Sequence, residues 1–361
     1  MFKKAVFPGK YIQGAGALNE MPALIDLFGS RAMILASPTV IKKILPACNM
    51  DQTARSVVSE TFRGECCETE LVRLADVIEK NRINVMIGMG GGKTIDSSKI
   101  AADRARIPVI VIPTIASTDA PCSGCAVVYS ESGVFERVCY QKTNPAAVLV
   151  DTGIIAAAPT RFLVSGMGDA LATWFEAESC YRTQSKNECG GLSVMAGLHL
   201  ARLCYDTLLS YGAEAKIAGE QHVATPAFER IVEANILLSG IGFESSGLAT
   251  AHAIQNGLTE LEETHAYYHG EKVAFGVLAG LQLTGAEPEL VSRVFKFCKQ
   301  IGLPTTLAEI GLQHIDRARL LKAAEKACEP GSSIHHEAGE ITAENALQAM
   351  IAADAMGQRM A

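Results

Sequence analysis

The chain has 361 residues, enough for two domains and a large core. Apolar residues make up 48% of it and charged residues 20%, with a net charge of −7, which suits a compact globular protein. That balance excludes a basic nucleic-acid-binding face, and no uncharged apolar stretch has the length of a membrane span.

In chain order, Lys3-Lys4 precedes an apolar run too short for a signal peptide, and Pro8-Gly9 ends it. Ala32 to Ala36 reads as a buried strand and Ser56 to Val58 as a further one. Glu68 to Lys80 has helical spacing through Leu71, Leu74, Val77 and Ile78. Val85 to Ile87 is a short buried strand, followed by a glycine loop and a helix over Thr94 to Arg104. Val109 to Ile112 is a strand stopped by Pro113. Ala126 to Tyr129 and Val134 to Tyr140 flank Ser130-Glu131-Ser132-Gly133, a hairpin signal, and Ala147 to Val150 is one more buried strand. Apolar strands without alternation, separated by helices, predict a parallel sheet covered on both faces. After Pro159 strand runs almost vanish. Helical segments follow at Leu171–Tyr181, Leu192–Leu209, Pro226–Leu238, Lys272–Leu283, Glu287–Ile301, Arg317–Cys328 and Ala343–Met356. The expected division is an α/β domain over 1–160 and an all-α domain over 161–361, with the ligand site in the cleft between them. The eleven cysteines form no paired framework. Cys66 and Cys67 are adjacent, Cys122 and Cys125 make a lone C-x-x-C, and reduced thiols in a cytoplasmic protein are expected.

The stretch Gly88-Met89-Gly90-Gly91-Gly92-Lys93-Thr94 carries the first chemical signal. Its glycines let the backbone take φ > 0 and press against a ligand. Bare N–H groups at a helix N-terminus favour an anion, and Lys93 adds positive charge. A plain turn between strand and helix needs neither so many glycines nor the lysine. The spacing matches neither a Walker A loop, since three residues rather than four separate Gly88 from Gly92, nor G-x-G-x-x-G, since the third glycine position is Lys93. A phosphate-bearing ligand is predicted.

The loop Pro113 to Ser123 follows a core strand, where parallel sheets bind ligands. Its small hydroxyl residues can bond phosphate or amide groups, and Asp119 can reach a polar substrate. Further on, Asp169 in Gly166-Met167-Gly168-Asp169 reads on its own as a helix N-cap. With His252 and His269 it makes a carboxylate and two imidazoles, a set that suits zinc with a fourth position open. Spacing does not single out this triad. His265 and His269 would share one helix face, and His335 and His336 would point apart on a strand. His199 and His222 read as surface or packing residues.

At these motifs the chain resembles the glycerol dehydrogenases, within the metal-dependent (iron-containing) alcohol dehydrogenase superfamily. The resemblance runs from Pro8-Gly9-Lys10-Tyr11 through Gly90 to Asp96, Pro113 to Ser123 and Gly168 to Ala177, and on to Gly242 to Leu248, His252 and Tyr267 to Gly276. It implies an α/β dinucleotide-binding domain with a parallel sheet and an all-α C-terminal domain, the dehydroquinate synthase-like architecture. It implies a zinc-dependent NAD+ oxidoreductase that takes glycerol to dihydroxyacetone by hydride transfer from a metal-bound alkoxide. By this likeness Asp169, His252 and His269 hold Zn2+, or Fe2+, which the same donors accept. Gly92 and Lys93 hold the pyrophosphate. Thr114, Ser117, Ser123, Cys125 and Tyr129 contact the cofactor, and Asp119 contacts the polyol. A homo-oligomer is implied, with no nucleic-acid or membrane partner.

Three positions depart from the pattern. Ser37 stands where relatives commonly carry an acidic residue against the adenosine ribose, which predicts weaker exclusion of NADP. Gln255 stands where relatives often have His, and Gly124-Cys125 replaces a bulkier apolar pair. The alternative reading is the same fold acting on a hydroxy acid or a phosphorylated polyol. Around Asp119, His252 and His269 only Lys272 is close in sequence, which disfavours a phosphate substrate.

Overall fold

A computed structural model describes residues 1–48, 56–314 and 316–360. The chain forms two compact units. One is Val6–Pro159 with Ala218–Gly240; the other is Met1–Ala5 with Thr160–Ile217 and Ile241–Ala361. The chain leaves the first unit at Pro159 and passes through it again at Ala218–Gly240. Residues 218–240 return to the first unit because their polar groups are tied into it. The Gln13 amide donates to Glu229 O at 3.0 Å and the Thr152 hydroxyl to the Glu229 carboxylate at 3.1 Å. The Asn235 amide donates to Ala116 O at 3.1 Å.

The first unit carries strands β1 (Tyr11–Gly14), β2 (Arg31–Ala36), β3 (Ser56–Thr61), β4 (Val85–Gly90), β5 (Val109–Pro113), β6 (Cys125–Tyr129), β7 (Phe135–Tyr140) and β8 (Ala147–Asp151). Six of them form one sheet in the order β1-β8-β5-β4-β2-β3, every neighbouring pair parallel. Residues 32–36, 85–87, 109–112 and 147–150 are buried throughout, as strands covered on both faces must be. On one face Met21, Leu24 and Ile25 of α1 (Met21–Phe28) pack with Ile34, Ile87, Ile110 and Leu149. β6 and β7 make the expected antiparallel hairpin as a separate two-stranded sheet. β1 went unpredicted because its four residues are half-buried and contain no apolar run.

The winding of the main sheet reverses between β2 and β4. From β2 the chain steps outward to β3, and from β4 it steps the other way to β5 and β8. Ligands of open α/β sheets bind at the carboxyl ends of the strands at such a reversal. Here those ends are Ala36-Ser37 and the glycine loop. Ser37 caps α2 (Pro38–Lys43) by accepting from Val40 N. α3 (Glu68–Lys80), α4 (Gly92–Ala105) and α5 (Thr152–Ala156) complete the N-terminal half.

The remaining helices are α6 (Thr160–Thr183), α7 (Met195–Glu220), α8 (Pro226–Glu233), α9 (Ser239–Ser246), α10 (Thr250–Leu258), α11 (His269–Leu283), α12 (Pro288–Ile301), α13 (Arg317–Ala327) and α14 (Ala343–Arg359). The expected helix over 226–238 is α8 followed by a π-turn at Ala234–Leu238. α6 begins eleven residues before the expected start. Glycines 166 and 168 weaken its local helical signal, and burial along the helix overrides that preference. Among the described residues, no helix is long and apolar enough to cross a membrane.

Candidate active site

Asp169 is not an N-cap. It lies well inside α6 and is 1% exposed. It reaches the site because α6 crosses α11 at near-zero clearance. A Cβ on Gly168 would stand 2.3 Å from Gly270 O, and one on Gly270 would stand 1.8 Å from Ser165 O and 3.0 Å from Asp169 N. Only glycine permits this approach. His269 is the first residue of α11. The start of that helix is held by Glu271, whose carboxylate accepts from Tyr268 N at 2.8 Å and from Nε and Nη2 of Arg161 at 2.6 and 2.8 Å.

His252 lies in the first turn of α10. Its Nε2 stands 3.4 Å from Asp169 Oδ1, and His269 Nε2 stands 3.2 Å from the same oxygen. A tetrahedral ion with bonds of about 2.1 Å holds neighbouring donors about 3.4 Å apart. The separations and the donor chemistry therefore fit one divalent ion with room for a further ligand. The three donors lie within 4.8 Å of one another.

Glu176, seven residues after Asp169 on the same helix, orients His252. Its Oε2 lies 2.6 Å from His252 Nδ1, and its Oε1 accepts from Ala249 N at 2.9 Å and His252 N at 3.0 Å. An ionised carboxylate only accepts, so Nδ1 carries the proton and Nε2 turns its lone pair to the site. Burial opposes the charges of Asp169 and His252, yet their neighbours outweigh it. The His269 and His252 imidazoles hold Asp169 well below the usual carboxylate range. Glu176 and Asp169 push His252 well above the usual imidazole value, so a metal competes with a proton there.

The rival histidines fall elsewhere. His265 is in a 3-10 turn at Glu262–Ala266 with Nε2 2.8 Å from Thr259 O, and extended Tyr267 separates it from α11. His265 and His269 thus share no continuous helix. His335 and His336 end a 3-10 turn, not a strand.

In the other unit, the glycine loop works through clearance. None of Gly88, Gly90, Gly91 and Gly92 has positive φ, contrary to the expectation from their number. A Cβ on Gly88 would stand 2.6 Å from the Ser98 side chain, and one on Gly90 would stand 2.9 Å from Thr94 Oγ1. These glycines let α4 press onto β4. Gly92 opens the helix and faces open space, where backbone N–H groups are available to an anion. Lys93 stands 2.5 Å from the Glu65 carboxylate and 4.9 Å from the centre of the Tyr129 ring. Burial, with Asp96 and Glu65 nearby, pushes the Tyr129 phenol above its usual value.

The loop after β5 is pinned from two sides. Thr114 N donates to Gly90 O at 3.0 Å, and the Ser239 hydroxyl donates to the buried Asp119 carboxylate at 2.8 Å. Lys99 of α4, 1% exposed, donates to Ala120 O at 2.9 Å, Ser123 O at 3.1 Å, Ser123 Oγ at 3.3 Å and Cys125 O. The Ser123 hydroxyl also donates to Ala120 O, so it faces into its own loop. Ser117 is half-buried on the same loop. Asp96 lies 3.6 Å from Lys99 and accepts from Val127 N; burial raises its pKa, against the pull of Lys99.

Sequence reasoning missed Glu176, Lys99 and Ser239 as working residues. Glu176 had a signal in its seven-residue spacing from Asp169, which puts both on one helix face. Lys99 had a weaker one, six residues after Lys93 in an otherwise buried helix. Ser239 had none, since only the return of 218–240 brings it to Asp119.

Residues 8–152 match the model of the iron-containing alcohol dehydrogenase family. The chain is 50% identical over 359 residues to a glycerol dehydrogenase of Thermotoga maritima, covering 99% of this chain and 98% of the relative. It is 40% identical over 355 residues to a glycolaldehyde reductase of Halobacterium salinarum, covering 98% and 97%. The crystal structure of a probable glycerol dehydrogenase from Sinorhizobium meliloti superposes with a TM-score of 0.94 at 42% identity over 99% of both chains. The chain belongs to the iron-containing alcohol dehydrogenase family, and its fold is that of the family. Within that family of oxidoreductases it is similar to the glycerol dehydrogenases.

Proposed function

We propose that the protein oxidises glycerol and related vicinal diols, with glycerol giving dihydroxyacetone, using NAD+ and one zinc ion. The observation that carries this reading is the meeting of Asp169, His252 and His269 in a chain half identical to a glycerol dehydrogenase. When bound, the metal would supply Lewis acidity that lowers the pKa of a substrate hydroxyl, and the nicotinamide would supply the hydride acceptor. Asp169, His252 and His269 hold the ion, and Glu176 keeps the proton of His252 on Nδ1. The α4 N-terminus at Gly92 receives the pyrophosphate, with Lys93 exchanging Glu65 for phosphate oxygens. Thr114, Ser117, Cys125 and Tyr129 surround the cofactor, while Ser123, its hydroxyl turned to Ala120 O, holds the shape of the loop. Asp119, held by Ser239, accepts a hydrogen bond from a second hydroxyl of the diol and so favours diols over simple alcohols. The eleven cysteines are thiols rather than disulfides, which supports a reducing, cytoplasmic setting. The homo-oligomeric state rests on the family resemblance.

The test is NADH absorbance with glycerol, before and after chelation and zinc return. Turnover lost to the chelator and restored by zinc supports metal and substrate together. NAD+ binding without turnover of glycerol, 1,2-propanediol or 2,3-butanediol refutes the substrate assignment and directs the search to hydroxy acids and phosphorylated polyols. The likeness to a glycolaldehyde reductase favours a second reading, reduction of small hydroxyaldehydes, tested by NADH oxidation with glycolaldehyde.

A further inference from the structure

The helix that carries His252 starts poorly by itself. The residue at its N-cap is Ala249, which offers no side-chain acceptor and is among the least favourable residues there. Glu176 takes two of the unpaired N–H groups. The rest of the support comes from a turn at the far end of the chain, the one that contains His335 and His336. The Ser333 hydroxyl donates to Ala249 O at 2.8 Å, and His336 Nδ1 lies 2.7 Å from Leu248 O. The Glu337 carboxylate accepts from the Thr250 hydroxyl at 2.7 Å and from the Ser179 hydroxyl of α6 at 2.6 Å. The Thr183 hydroxyl, also on α6, donates to His336 O at 2.9 Å.

We infer that residues 333–337 form a clasp that positions His252, joining the start of α10 to α6, the helix that carries Asp169. The bonds made by Ser333, His336 and Glu337 fall on Leu248, Ala249 or Thr250, the residues that set where α10 begins, or on α6. None falls on a metal ligand. Glu337 is the centre of the clasp because one carboxylate joins the two helices, with each oxygen accepting from a different one. Its burial at 8% exposure keeps water from replacing those bonds. Glu337 is thus a positioning residue, and the inference rests on the reading of Asp169, His252 and His269 as the metal site.

The test measures Zn2+ affinity by competition with a chromophoric chelator, with the urea midpoint and NAD+ affinity followed in parallel. Outer hydrogen-bond partners of metal sites change affinity by about 10–100-fold, and the clasp acts one step further out. Glu337→Ala is expected to weaken Zn2+ binding about 10-fold with NAD+ affinity unchanged. Glu337→Gln, which can bond both hydroxyls, should recover most of that loss. Wild-type Zn2+ affinity in folded Glu337→Ala overturns the inference while leaving the metal site in place. Absence of Zn2+ binding by the wild-type protein refutes the metal reading itself, and the inference with it. Should Glu337→Ala fail to fold, Ser179→Ala carries the test, with a loss of about 3-fold expected and an unchanged affinity overturning the clasp.

Discussion

Gly270→Ala tests the helix crossing that builds the proposed metal site. The new Cβ would stand 1.8 Å from Ser165 O, 2.7 Å from its carbonyl carbon and 3.0 Å from Asp169 N. All three are backbone atoms inside a helix, so no side-chain rotation relieves the overlap. Restoring van der Waals contact at about 3.5 Å requires α6 and α11 to part locally by about 1.7 Å. Functional constellations tolerate displacements of about 0.5 Å. His269 is the residue before the new methyl group and Asp169 lies beside it, so the 3.2 Å gap between them opens directly. We expect a loss of about 1–3 kcal/mol in stability and at least about 10-fold in Zn2+ affinity. Gly280→Ala is the control on the same helix. Its Cβ meets only the Thr250 side chain, at 3.4 Å, and alanine there gains about 0.5–1 kcal/mol of helix preference. Urea midpoints and chelator competition on both variants decide the matter. A Gly270→Ala protein with wild-type midpoint and wild-type Zn2+ affinity would refute the claim that this crossing sets the site.

Glu176→Gln should weaken Zn2+ binding about 10-fold or more, because the amide no longer fixes the His252 tautomer; chelator competition checks it. Ser37→Asp at the end of β2 should lower kcat/KM with NADP by about 10-fold and leave the NAD value within about 3-fold, since a carboxylate repels the 2′-phosphate. Lys99→Met should cost about 3–5 kcal/mol by leaving Asp96 buried without its partner, and adding Asp96→Asn should restore part of it, read from urea midpoints. Burial, reinforced by Glu176, holds Glu337 above its ordinary value of 4.5. The folded state therefore favours its neutral form, with stability fully present below pH 4.5 and lost as pH rises through the folded value. Relative to Glu337→Gln, the wild-type protein should lose stability as pH is raised from about 4.5, and urea midpoints across that range with no such divergence would contradict it.

Much of the first unit was legible from local pattern. Ala32–Ala36 and Ala147–Val150 are unbroken apolar runs that only a doubly covered strand requires. The hairpin was visible because Ser130 to Gly133 interrupts two strand-like runs. Asp169, His252 and His269 were legible as donor types and as parts of familiar motifs, but not by spacing, since three separate helices bring them together. The glycine loop was located correctly and explained only in part. A run of glycines signals either positive φ or close packing, and the sequence does not separate the two. Glu337 and Ser239 lay out of reach for another reason: each acts on residues more than eighty positions away, through contacts that no periodicity encodes.

The return of residues 218–240 bears on how the chain emerges from a ribosome. All eight strands of the first unit are complete by Asp151, yet the groups that tie down Gln13, Ala116 and Asp119 arrive with Glu229, Asn235 and Ser239. Synthesis at about 5–20 residues per second leaves the unit waiting roughly 4–18 seconds for that segment. During this interval the α6 sequence is already made, and the loop that bears Asp119 still lacks Asn235 and Ser239. The unit that looks N-terminal is therefore finished late, and a fragment ending near residue 160 would lack the residues that complete it.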